Sequence, residues 1–160
     1  MKIAQIFPAQ QKTALLAGLG ATGCITVLGF LSSHSNALWL MAPFGATMVI
    51  LFGLPASPLA QPRNIIAGHL ITAALGLMVA HFLGVHEWTL GLAVGLSIVA
   101  MMLTHTVHPP AGANPILIML AGDNWHFLIT PVASGAMLIV SFGYLYHRFI
   151  SGQQYPKKWL

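Results

Sequence analysis

Histidine is the titratable side chain this chain uses most, with eight in 160 residues against six Lys/Arg and two Asp/Glu. A neutral imidazole can pass a proton, hold a hydrogen bond or ligate a metal, and it tolerates apolar surroundings better than a fixed charge. His105 and His108 flank a proline-broken stretch, His108-Pro109-Pro110-Ala-Gly112-Ala113-Asn114-Pro115, set within apolar sequence. A second break, Pro43-Phe-Gly45-Ala46-Thr47, shares the pattern Pro-x-Gly-Ala followed by a small polar residue. A helix starting after such a break presents free backbone N–H groups and the positive end of its dipole, which can hold a small anion without a buried lysine. In that reading Gly45 and Gly112 admit a ligand close to the backbone, while Thr47 and Asn114 cap the helix or donate to the ligand. Arg63 and Asn64 close a proline-dense loop, and with His69 and His105 they are candidate pathway or gating residues. His105 and His108 share a helical face if the helix persists, although Pro109 biases His108 away from helical dihedrals.

The donor set argues against other chemistries. Glu87 and Asp123, the chain's acidic residues, both fall in turns, so a hydrolytic metal site inside the apolar runs lacks carboxylate ligands. Cys24 is alone, which removes an intramolecular disulfide or a cysteine cluster. No metal or other cofactor and no enzymatic activity are expected. One rival keeps the histidines as axial haem ligands, His69 and His105 being the pair to test. Another is a purely structural membrane subunit.

The elements that must position these residues are membrane helices. The chain is 57% hydrophobic and 5% charged, with a mean hydropathy of +0.82. Its basic residues sit at the two ends and in one loop, a topological distribution rather than a nucleic-acid patch. Apolar runs cover 13–31, 38–54, 65–83, 88–104, 115–122 and 127–146. The first outlasts a signal-peptide core and is followed by equally apolar runs, so it is read as a span. The second is expected to be extended or bent at Pro43 and regular from Thr47. Small residues recur at helical spacing at Gly18, Thr22 and Thr26, at Gly68, Thr72, Gly76 and Ala80, and at Gly91, Gly95 and Val99, as close helix packing in lipid requires. Trp39, Trp88, Trp125 and Trp159 stand at run ends, where interfacial tryptophans belong, and His34, His81, His86, His126 and His147 are read as interfacial too. Six passes put the N-terminus, Arg63, Arg148, Lys157 and Lys158 on one side and Glu87 and Asp123 on the other. That satisfies the positive-inside rule with both termini cytoplasmic; four spans with two re-entrant segments also keep both ends inside but reverse Arg63 and Glu87. The expected fold is an all-α polytopic membrane protein, one domain over 1–160. It is an inverted repeat of halves 13–83 and 88–148, each with a broken middle helix, giving four long spans and two shorter ones, followed by a basic cytoplasmic tail at 149–160.

The triplet His108-Pro109-Pro110 with Ala-Gly-Ala after it, and the long block from Gly45 through Ser57-Pro-Leu-Ala-Gln-Pro62-Arg63-Asn64 to His69, resemble the HPP family of integral membrane proteins. The resemblance covers nearly all of 13–148. It implies a family usually described with four spanning helices, whose plant chloroplast members are linked to nitrite transport. The expected function is therefore transport of a small, nitrite-like inorganic anion through a cavity between the two broken helices. The expected partners are the lipid bilayer, that anion, protons and further copies of the chain, with no nucleic acid, in the inner (plasma) membrane.

Overall fold

The computed structural model describes residues 6–35, 38–122 and 124–157. Asp123, Lys158 and Trp159 lie outside them. The described residues are helical, without strands: α1 (Ile6–His34), α2 (Ala42–Gly53), α3 (Pro62–Leu83), α4 (Glu87–Leu103), α5 (Asn114–Ala121) and α6 (Ser134–Tyr146), with tight 3-10 turns at Pro58–Ala60 and Pro109–Ala113. A wider-wound turn, Leu128–Ala133, leads into α6, and another, His147–Ser151, leaves it.

Boundaries follow local chemistry. Pro62 opens α3, where its missing N–H is no loss, and Ser57 Oγ accepts from Leu59 N to start the turn before it. His86 and Thr89 form a reciprocal cap at α4. Gly122, with φ at 69°, ends α5 in the left-handed conformation that glycine adopts without strain. The last helix bends at Thr130, where φ −133° and ψ 117° match the extended preference of a residue before proline. Pro43 does not delay α2: the helix begins at Ala42, because a proline in the first turn has no carbonyl behind it to clash with.

Among the described residues, three helical stretches are long and apolar enough to cross a membrane by length and composition: Gln10–His34, Pro62–Leu83 and Leu128–Ser151. The expected fourth long span, α4, has 17 residues, or about 26 Å at 1.5 Å per residue, and falls among the shorter apolar helices with α2. Arg63 and Asn64 bond the carbonyls of Thr104 and Val107, and Lys157 N donates to Gln61 Oε1, so residues 61–64, 104–107 and 157 share one end of the bundle. Ala80, His81, Val85, Gly122 and Trp125 line a cavity at the other end of α3, about 33 Å away for 22 residues. Trp39, Trp88 and Trp125 lie at helix ends, as expected.

Small residues do set the packing, but only one predicted stripe is right. On α3, a Cβ at Gly68 would stand 2.9 Å from His108 Cβ, and one at Gly76 would stand 2.8 Å from Pro115 Cα. On α1 the close approach is at Gly20, against Phe52 and Tyr146, and the buried face is Gly20, Cys24 and Leu28, not Gly18, Thr22 and Thr26. On α4 the buried stripe is Thr89, Ala93, Ser97 and Met101, while Gly91, Gly95 and Val99 face outward. Period-four spacing marks a face without saying which way it points.

Candidate functional site

The polar side chains buried in the centre come from four separate elements. Thr47 lies in α2, His69 and Thr72 in α3, His108 just before the Pro109–Ala113 turn, and Asn114 at the start of α5; all five are fully buried, at 0% exposure. Thr47 Oγ1 stands 3.0 Å from His69 Nε2, 2.9 Å from His108 Nε2 and 3.1 Å from the carbonyl of Pro43. His108 Nδ1 is 2.8 Å from Leu59 O, and the Asn114 amide nitrogen is 3.0 Å from His69 Nδ1, 3.1 Å from His69 O and 2.9 Å from Thr72 Oγ1.

These partners assign the hydrogens. A carbonyl can only accept, so His108 carries its proton on Nδ1, and its Nε2 accepts from the Thr47 hydroxyl. The Asn114 NH2 must face the His69 carbonyl, so it donates to His69 Nδ1, which leaves the His69 proton on Nε2 to donate to Thr47 Oγ1. The result is one directional chain through two neutral imidazoles: Asn114 to His69, His69 to Thr47, Thr47 to His108, His108 to Leu59 O. The Thr47 hydroxyl has an alternative acceptor, Pro43 O, so a second proton on His108 Nε2 is accommodated by a rotation of that one O–H. Phe44 packs edge-on against His69, and the two imidazoles stack edge to face at 5.1 Å.

Outside this cluster, Arg63, Asn64 and His105 line a mouth of about 240 Å³ with Ala56, Pro58, Gln61 and Lys157. Arg63 Nη2 donates to Thr104 O at 2.7 Å and Asn64 Nδ2 to Val107 O at 2.9 Å. Arg63 thus ties down the segment after α4 rather than the proline-dense loop of residues 55–62. The His105–His108 pair does not form. The α4 helix ends at Leu103, His105 takes a left-handed φ of 55° and faces the mouth, and His108 turns inward. His69 is buried with both ring nitrogens hydrogen-bonded, to Asn114 and Thr47, while His105 is exposed and lines the mouth, so the arrangement observed is not one of paired axial ligands.

Of the remaining candidates Pro43 and Pro110 are buried, Gly112 is half-buried, and Gly45, Ala46, Pro109 and Ala113 are exposed. Ala46, Pro109, Pro110 and Ala113 line an open apolar groove between α2 and the turn at Pro109–Ala113. A Cβ at Gly45 or Gly112 would meet nothing within 4 Å, so neither glycine is made necessary by a close neighbour. Backbone donors after the prolines are partly spent: Phe44 N and Gly45 N bond Met41 O, and Ala111 N bonds His108 O. Thr47 and Asn114 make no helix cap; both turn their side chains into the cluster.

His147 and Gln61 are among the buried polar residues not singled out as buried from the sequence, with Thr89, Ser97 and Thr106. His147, taken as interfacial, is buried at 1% exposure and bonds Leu51 O and Ser151 Oγ, with Tyr155 packed on its ring. Its signal was available, because it continues the buried face of α6 through Val140 and Gly143. Gln61 bonds Pro55 O, Ser57 O and Lys157 N, and joins the proline-dense loop to the tail. His34, His81, His86 and His126 are exposed at or near helix ends.

An all-helical bundle with long apolar helices and a buried polar centre defines an integral membrane protein. The HPP transmembrane-region model matches residues 7–156, and the chain belongs to that family. It is similar to two transmembrane proteins of Dictyostelium discoideum, 35% identical over 134 residues and 37% identical over 132, which cover 79% and 75% of this chain. The chain spans 43% and 45% of those relatives' own lengths. No solved structure is significantly similar to it.

Proposed function

We propose that the chain transports a small monovalent inorganic anion, nitrite foremost, across the membrane together with a proton. The observation that carries this reading is the buried directional chain from Asn114 through His69, Thr47 and His108 to Leu59 O, which follows in sequence on Pro58 of the mouth that Arg63 and Lys157 also line. A cationic mouth raises the local anion concentration. Among the described residues no Lys, Arg, Asp or Glu is buried in the interior beyond it. Moving a bare anion through such an interior costs several kcal/mol even after relaxation, and a proton moving with it removes most of that penalty. His108, with the Thr47 hydroxyl able to turn to Pro43 O, is the group suited to receive the proton.

The opposed directions of α2 and of the turn leading into α5 suit an inverted-repeat transporter in the inner membrane with cytoplasmic termini. The outward face of Gly91, Gly95 and Val99 suits association of copies. The role is transport, not catalysis. Purified protein in liposomes tests it: nitrite uptake above that of empty vesicles, accelerated by an inward proton gradient, is expected. No uptake of any small anion, with or without the gradient, refutes it and leaves the structural-subunit reading.

A further inference from the structure

In the centre of the cluster one atom is left over. Asn114 Oδ1 is buried and has no hydrogen-bond partner, while the amide nitrogen of the same side chain has three acceptors within reach. The amide cannot be flipped to relieve this, because its nitrogen faces the His69 carbonyl, which only accepts. A carbonyl oxygen this buried and given no protein donor loses about 1–3 kcal/mol, so a group that brings a donor to it is favoured there. An anion such as nitrite, nitrate or chloride brings none. Its conjugate acid, where the anion is that of a weak acid, brings one O–H.

The surroundings point the same way. The titratable groups facing Asn114 are His69, from α3, and beyond it His108, both assigned as neutral by their partners. The buried faces of α2 and α4, made of Pro43, Phe44, Thr47, Met48, Leu51 and Phe52 and of Thr89, Ala93, Ser97 and Met101, hold no titratable group.

Resting on the transport reading above, we infer that the transported species passes the centre as its conjugate acid, its O–H donating to Asn114 Oδ1, so that the chain selects small monobasic weak acids over the anions of strong acids. The balance is simple. The anion takes one proton from the aqueous side on entry, crosses as a neutral molecule and returns the proton to water on exit, so one proton and one negative charge move and no net charge crosses. A site built to accept a hydrogen bond rejects an analogue lacking the donor far more strongly than a merely apolar pocket does.

The experiment compares nitrite and formate with nitrate and chloride in liposomes holding the full chain, each corrected for empty vesicles because free weak acids leak through lipid. Expected are nitrite and formate entry at least about tenfold faster than nitrate or chloride. Lumenal acidification should match the anion gained, and a membrane potential set with potassium and valinomycin should have no effect. Nitrate entering as fast as nitrite, or nitrite entry driven by the potential without acidification, overturns the inference while leaving anion transport standing. No entry of any anion fails the transport reading itself. Asn114→Leu should abolish the nitrite preference and most of the flux in protein that still purifies as folded. If it folds and keeps both, the inference falls, and if it does not fold the wild-type panel still decides.

Discussion

Thr47→Val is the sharpest single perturbation of the central chain. Valine keeps the shape and the β-branching of threonine, so α2 and its packing are unchanged, and only the hydroxyl goes. That hydroxyl meets His69 Nε2 at 3.0 Å and His108 Nε2 at 2.9 Å, so its loss leaves one buried donor and one buried acceptor unpaired. In a soluble core each orphan costs about 1–3 kcal/mol. In a bilayer the unfolded reference also finds partners, and such bonds average about 0.6 kcal/mol. The smaller figure governs here, and the expected total for the two bonds is about 1 kcal/mol, large enough to measure and too small to prevent insertion. The link between the two imidazoles is nevertheless broken, so nitrite flux under a proton gradient should fall about tenfold or more, as loss of one proton-transfer partner does. Thr47→Ser restores the oxygen at the cost of one methyl and should recover most of the flux. Thermal unfolding in detergent and liposome uptake read the two quantities separately. A Thr47→Val protein with wild-type uptake and wild-type proton stoichiometry would refute the reasoning.

Gly68→Ala should impair both folding and flux by about 1–3 kcal/mol of overpacking, because the new methyl would stand 2.9 Å from His108 Cβ and 3.1 Å from Thr106 O. Gly112→Ala and Gly45→Ala, with nothing within 4 Å, should retain wild-type melting temperature and uptake, and equal damage at all three glycines would contradict the packing. His147→Leu removes the bond to Leu51 O and should lower thermal stability by about 1–2 kcal/mol without altering anion preference; a changed preference would place His147 on the pathway. Arg63→Gln should raise the nitrite concentration needed for half-maximal uptake and weaken its dependence on ionic strength, measured by initial rates at low and high salt.

Much of this protein was legible in one dimension. Hydropathy located the helices, since a backbone in lipid must satisfy its own hydrogen bonds and has little choice but to be helical. The proline-rich blocks marked the family and the breaks, and Thr47, His69, His108 and Asn114 stood out because polar side chains are rare and expensive in apolar runs. What the chain could not say alone was which of them meet. Thr47 and His108 are 61 positions apart, and His69 and Asn114 are 45 apart. Periodicity fixes neighbours on one helix, but rotation of each helix about its axis is decided by its partners. That is why Gly91 and Gly95 point outward and Gly20 replaces Gly18. It is also why the breaks at Pro43 and Pro110 serve less as exposed helix ends than as the means of bringing Thr47, His108 and Asn114 to His69. The sequence determined the membrane class, the helical elements and the polar inventory; the tertiary structure decided which polar atoms are paired and that Asn114 Oδ1 is not, because pairing at this range depends on the packing of four elements at once.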